Sequence, residues 1–194
     1  MANIENIFFK YRSYTPIPFL LVMVYFAEPT VLSLIIGFGI ALAGELVRFW
    51  GVSWAGSETR TTGGAGGTFL IISGPFGYVR NPLYVGNLLI YMGIGIMSMS
   101  LFPYLQIFTF IFFVIQYYFI VLGEEKFLQK KFSNSYDDYR KNVSRFFPRL
   151  TPYKNNNIEQ PDLSHKAGLR SERRTLQAFT LVSLILVVIW FINK

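Results

Sequence analysis

The chain has 194 residues, 52% of them hydrophobic, 18% aromatic and only 15% charged, with a net charge of +7. Soluble domains carry about 25% charged residues, so twenty Phe and twelve Tyr set in long apolar runs point to an integral membrane protein. The lack of cysteine excludes disulfides, thiolate–metal sites and cysteine nucleophiles, and a lone histidine, His165, excludes His-based metal centres and catalytic triads.

Met1–Ser13 carries Glu5, Lys10 and Arg12 and is followed by no small-residue cleavage site, so it does not read as a signal peptide. Pro16–Ala27 is apolar but short, and Glu28-Pro29 ends it because proline disfavours helix at the preceding residue. Thr30–Trp50 reads as a full-length apolar helix closing on Glu45, Arg48 and Trp50. The two make a hairpin whose first limb is expected to start a few residues before Pro16. Gly37, Gly39 and Gly44 would let a neighbouring helix approach closely. Gly51–Ser73 is a Gly/Thr/Ser-rich connection, and its Gly63–Gly67 run reads as a mobile lid or plain linker. A phosphate loop is not expected there, because no Gly-Lys-Ser/Thr follows.

Two apolar stretches, about 83–100 and 103–122, meet at Ser100-Leu101-Phe102-Pro103, and each is long enough to cross most or all of a bilayer. Gly123–Phe132 extends the second limb out of the membrane. Tyr136–Arg145 reads as a short amphipathic helix with Tyr136, Tyr139 and Val143 on one face, ended by Phe146-Phe147-Pro148. Leu150–Arg170 is polar, and residues about 175–192 are one more apolar span. The expected fold is all-α and polytopic, with about five transmembrane helices. Its expected parts are a core over 1–150, a polar basic linker over 151–172 and a C-terminal transmembrane helix over 173–194.

With the N-terminus inside, every Lys and Arg of the eighteen except Lys194 falls on the cytoplasmic side, as the positive-inside rule requires. A membrane hairpin starts and ends on one side, so Arg80, Asn81, Glu124 and Glu125 are expected to converge at the cytoplasmic face. Ionisable residues held beside lipid are candidates for function. Arg grips a carboxylate with two parallel bonds. A Glu accepts from ribose hydroxyls or an ammonium, and Tyr84 and Tyr136 can stack a base or face a sulfonium. S-adenosylmethionine carries all of these groups, but many ligands carry some. From spacing alone, a salt-bridge cluster that seats the hairpin is an equal account.

Ser73-Gly74-Pro75-Phe76-Gly77-Tyr78-Val79-Arg80-Asn81-Pro82-Leu83-Tyr84-Val85-Gly86 resembles the signature of the isoprenylcysteine carboxyl methyltransferase and phospholipid methyltransferase superfamily. Glu124-Glu125-Lys126-Phe127-Leu128 resembles its paired-Glu segment. Phe132-Ser133-Asn134-Ser135-Tyr136-Asp137-Asp138-Tyr139, with Val143, Arg145 and Pro148, resembles its tail. The three motifs cover about 73–148, and the basic segment and last span are similar to those of a bacterial subgroup. The resemblance implies an S-adenosylmethionine-dependent methyltransferase of the bacterial inner membrane, with its cofactor site in the cytoplasmic C-terminal region. It implies cofactor contacts by Arg80, Asn81, Pro82, Tyr84, Gly86, Glu124, Glu125, Tyr136 and Tyr139. Catalytic roles fall to Asn81, Glu125 and Arg145, and Pro82 and Gly86 set shape.

The implied acceptor is a membrane lipid or lipid-modified molecule offering a carboxyl or an amine. Asn81 stands where the family most often has His and cannot titrate, so the chemistry leans toward an already ionised nucleophile or a Glu as base. Ser133 replaces the usual Gly at a helix end, beside Asn134, which tolerates positive φ better. A sterol-type NADPH-dependent membrane reductase and a non-catalytic scaffold of the same fold are the alternatives.

Other polar features have plainer readings. Glu45 and Arg48, three apart on one helix, are expected to pair with each other, with a place in a substrate channel as the alternative. His165 is expected to be solvated in the linker. The basic stretch Lys126–Arg174 serves topology and attraction to anionic lipid headgroups. No nucleic acid and no metal are expected as partners.

Overall fold

The computed structural model describes residues 4–56 and 68–194, so Arg60 and the Gly63–Gly67 run lie outside the described residues. Among the described residues there is no strand. The helices are α1 (Ile4–Tyr11), α2 (Pro16–Tyr25), α3 (Val31–Ala55), α4 (Pro82–Ser98), α5 (Tyr104–Asn142) and α6 (His165–Ile192), with a 3-10 turn at Gly74–Gly77 before α4. Helices α3, α5 and α6 are long and apolar enough to cross a membrane. At 1.5 Å per residue, the 17 residues of α4 reach about 25 Å and the 10 of α2 about 15 Å. The hydrocarbon core is about 30 Å thick. Of the five spans expected, three therefore reach full length. Leu32, Ile35 and Leu46 on α3, Ile107, Phe108 and Ile111 on α5, and Leu181, Leu184 and Val188 on α6 are all exposed. Such apolar faces suit lipid rather than water, and the chain is an integral membrane protein.

The first limb departs from a simple hairpin. Pro16 lacks an N–H and opens α2, so the chain turns at residues 12–15 and α1 forms a separate helix. That helix lies on α5, where Phe8 stacks on Phe119 and Glu5 pairs with Lys126 at 2.6 Å. Helix α3 begins as its sequence suggests: Thr30 Oγ1 accepts from Ser33 N, and Ser33 Oγ accepts from Thr30 N. It continues past Trp50 to Ala55.

Helices α3 and α4 make the most extensive contact in the fold, along a seam of small residues. A Cβ added at Gly93 would lie 2.5 Å from Ala41 N and 2.5 Å from Gly37 O, and one at Gly86 would lie 2.5 Å from Arg48 Cγ. Gly37 and Gly44 belong to this seam as expected, but Gly39 does not, since nothing lies within 4 Å of its Cβ position. Beside the seam, Met23, Ala41, Ile90, Ile94, Met97, Phe179 and Leu186 form the core shared by α2, α3, α4 and α6.

Helix α5 spans Tyr104–Asn142 with a kink at Ser133, and its segment before the kink reaches about 43 Å at 1.5 Å per residue, so it continues past the hydrocarbon core. The extension and the amphipathic helix expected after it are two helical segments of α5 that meet in a kink at Ser133, whose φ of 42° and ψ of −115° are not helical. Ser133 itself takes the positive φ, and Asn134 does not. The helix stops at Asn142 and Val143 is extended, so Arg145 lies beyond the helix. Helix α6 starts at His165, capped by Ser164 Oγ accepting from Ala167 N. His165 is exposed, with its ring stacked on Phe49.

Candidate functional site

The segment 73–80 is held by main-chain bonds before any side chain acts. Tyr153 N donates to Gly77 O at 2.8 Å, Arg149 N to Tyr78 O at 3.0 Å, and Arg80 N to Ser144 O at 2.9 Å. Tyr139 donates from its hydroxyl to Phe76 O at 2.7 Å. The post-helix tail therefore folds back over the turn that precedes α4. Pro82 occupies the first turn of α4, and Asn81 is its cap residue, though its side chain makes no capping bond.

On this frame Glu125 receives two guanidinium groups. Arg145 donates from Nε to Oε1 at 2.8 Å and from Nη2 to Oε2 at 2.7 Å. Arg80 Nη2 lies 3.0 Å from Oε1. The side chains of Glu125 and Arg80 are 10% and 9% exposed, so the pair is largely shielded from water. Arg80 also donates from Nη1 to Arg140 O, while its buried Nε has no hydrogen-bond partner. The two bonds it donates to Glu125 hold the Arg145 guanidinium above its ordinary range, and its charged end lies 5.6 Å from the Tyr118 ring. Two cations on one carboxylate leave a positive excess, which favours an anionic group.

The other expected residues fall on either side of this clamp. Asn81 Nδ2 donates to Arg145 O at 3.1 Å, so it fixes the backbone that carries Arg145. Glu124 points elsewhere. Adjacent helical positions diverge by about 100°, and its Oε1 accepts from the Tyr84 hydroxyl at 2.8 Å. The two glutamates therefore do not act on one point. Tyr136 is 1% exposed, and Glu125, Arg80, Arg140 and Arg145 are its charged neighbours. Tyr139 packs with it in a cluster that includes Leu70, Ile72 and Val143. Gly86 lies one turn into α4, against the stem of Arg48. Farther along the tail, Tyr153 donates to Asp138, and burial, then that carboxylate, push its hydroxyl up.

A second polar cluster lies deeper in the helix bundle. Arg48 Nη2 donates to both Glu172 oxygens at 2.8 Å and its Nε to Oε2 at 3.2 Å, while its Nη1 donates to Asn87 Oδ1. The local pair expected between Glu45 and Arg48 does not form. Glu172, on α6 and 1% exposed, offers Arg48 a bidentate partner. Glu45 is 3% exposed, and neither of its carboxylate oxygens has a hydrogen-bond partner. Asn87 and Glu172 escaped the sequence reading. The one available signal was a single acidic residue among the arginines at 170–174, at the start of an apolar run.

Residues 32–135 match the phospholipid methyltransferase family. The chain is 30% identical over 128 residues to the cobalt-zinc-cadmium resistance protein CzcN of Cupriavidus metallidurans, covering 66% of this chain and 53% of that protein. It is 32% identical over 87 residues to the nickel-cobalt-cadmium resistance protein NccN of Alcaligenes xylosoxydans xylosoxydans, covering 45% of this chain and 39% of that protein. The chain thus matches only about half of the length of the first of these curated relatives and less of the second. No solved structure matches.

Proposed function

The chain belongs to the phospholipid methyltransferase family, and on that premise we propose that it is an S-adenosylmethionine-dependent methyltransferase acting on a lipid or lipid-modified acceptor. The observation that carries the reading is the clamp at Glu125. Two arginines from separate motifs face one carboxylate, and one of them keeps a buried Nε without a partner. That set fits a ligand bearing a carboxylate beside groups that a Glu can accept from. Arg80 and Arg145 would hold the carboxylate. Glu125, and Glu124 with Tyr84, would accept from the ammonium and the ribose hydroxyls.

When bound, the cofactor supplies an electrophilic methyl on a sulfonium. The protein's task is to align the acceptor with that methyl and keep water away. Asn81 serves by positioning Arg145, since its amide is committed to that residue's carbonyl. Pro82 and Gly86 shape the helix that carries Tyr84. The cofactor face is the cytoplasmic one, as the distribution of Lys and Arg favours. The relatives are named for metal resistance. In this reading, any such role for this chain acts through a methylated membrane component rather than through bound metal.

The test is equilibrium binding in dodecyl maltoside. S-adenosylhomocysteine is expected to bind, with NADPH showing no saturable binding. Glu125→Gln and Arg80→Ala should each weaken S-adenosylhomocysteine at least tenfold. Binding of NADPH alone would favour a reductase, and binding of neither by the folded protein would favour a scaffold.

A further inference from the structure

We propose that residues 146–150 of the tail are a membrane anchor. Phe147 and Leu150 sit in the bilayer leaflet on the clamp side, and the cations around them bind the phosphates of anionic lipids.

Phe147 is 82% exposed and Leu150 99%, yet both lie outside the helices, so a membrane span does not account for them. Their level does. Two residues before Phe147, the Arg145 guanidinium lies 5.6 Å from the Tyr118 ring. Tyr118 continues an exposed stripe of α5 formed by Phe108, Ile111 and Ile115, spaced three and four apart as one helix face requires. Glu125, seven positions on, keeps to that face, so the clamp stands at the end of a stripe that faces lipid. Two residues of chain reach about 7 Å at most, which keeps Phe147 beside Arg145 at the bilayer boundary. The other end of the stretch is held at the same boundary. Arg149 N donates to Tyr78 O, and the Tyr78 ring lies 5.9 Å from that of Trp50. Trp50 is exposed near the end of α3, and tryptophan favours the membrane–water interface.

Charge selects the kind of lipid. Residues 139–158 contain Arg140, Lys141, Arg145, Arg149 and Lys154 and no acid. Glu125 neutralises Arg145, and Asp137 neutralises Arg140. The other three have no acid within ion-pair distance among the described residues. Lys141 and Lys154 are exposed, and Arg149 donates only to a main-chain oxygen, that of Asn142. An apolar pair among unneutralised cations suits an anionic leaflet: the side chains enter between lipids while the charged ends meet the phosphates. A zwitterionic leaflet would leave that charge unmatched. The same tail carries Arg145 to Glu125, so lipid holds it from outside as the main-chain bonds to residues 77–80 hold it from within.

The chain has no cysteine, so one introduced thiol can carry an environment-sensitive fluorophore. Thr151→Cys places it beside the anchor with both apolar side chains intact, and Asn157→Cys is the control; both positions are exposed. The full chain is placed in nanodiscs of phosphatidylglycerol and phosphatidylcholine in equal parts, or of phosphatidylcholine alone. In the anionic discs, lipid carrying a nitroxide near the headgroup should quench the label at 151 at least threefold more than the label at 157. Aqueous iodide should show the reverse order. Adding Phe147→Ser and Leu150→Ser should return the 151 label to iodide. Equal iodide quenching at 151 and 157, a comparison that leaves the anchor unaltered, would overturn the proposal. So would protection of 151 from both quenchers, which would mean that protein covers the patch, or an unchanged pattern in the double serine variant. Equal lipid quenching in the two kinds of disc would overturn the assignment to anionic lipid. Each arm runs without cofactor, so its outcome is independent of the methyltransferase reading.

Discussion

Gly93→Ala probes the seam that sets α4, and with it the motif residues, against α3. The added Cβ would lie 2.5 Å from Ala41 N and 2.5 Å from Gly37 O, about 1 Å short of ordinary contact on both sides. Both atoms are backbone, so no rotamer change relieves the overlap and the helices must part. Overpacking of this kind costs up to about 3 kcal/mol. The gain in helix propensity from Gly to Ala offsets about 1 kcal/mol, leaving a net loss of about 2 kcal/mol. For a chain of this size each kcal/mol moves Tm by about 2–4 °C, so a fall of about 4–8 °C is expected. Gly39→Ala is the matched control, because its Cβ meets nothing within 4 Å, and propensity alone should raise Tm by about 2–4 °C. The assay is tryptophan fluorescence during thermal unfolding in dodecyl maltoside, without cofactor. A Gly93→Ala protein that melts at or above the wild type would refute the reasoning, as would a Gly39→Ala protein that falls equally far.

Ser133→Gly should stabilise by about 1 kcal/mol, because a φ of 42° suits glycine and costs other residues at least that much; the readout is a higher Tm with no change in S-adenosylhomocysteine affinity. Glu172→Gln should cost about 3 kcal/mol, since it leaves the buried Arg48 charge without its carboxylate. An Arg48→Met, Glu172→Leu double variant should unfold at a higher temperature than Glu172→Gln alone. Tyr139→Phe should cost about 1 kcal/mol through the lost bond to Phe76 O, and denaturant unfolding would measure it.

The Arg80–Glu125 pair was legible because two helices joined by a short turn must return to one side, whatever their packing. The motif order added Arg145. What the sequence could not show is the direction of neighbouring side chains. Glu124 and Glu125 look like a pair in the string but diverge on the helix, one to Tyr84 and the other to the arginines. The Arg48–Glu172 pair was hidden for a different reason. Its members lie 124 positions apart, and spacing rules see only three or four, so the local Glu45–Arg48 pair looked like the default. Helix ends failed where good helix formers continued. The break near Ser133 was legible, since α5 kinks there, but a polar stretch that read as linker holds the first turns of α6, beginning at the Ser164 cap. Gly39 looked the same as Gly37 and Gly44 in composition, but it faces outward on α3.

The return of the tail over residues 77–80 has a consequence for how such a chain can diverge. Its three crossing bonds use main-chain N–H and C=O groups alone, through residues 144, 149 and 153, so, proline aside, they are indifferent to the side chains carried there. Substitutions at these positions should drift freely, as far as this joint is concerned. A single residue inserted or deleted between Asn142 and Ser144 would shift all three bonds out of step and carry Arg145 away from Glu125. The tail is therefore constrained in length more than in identity.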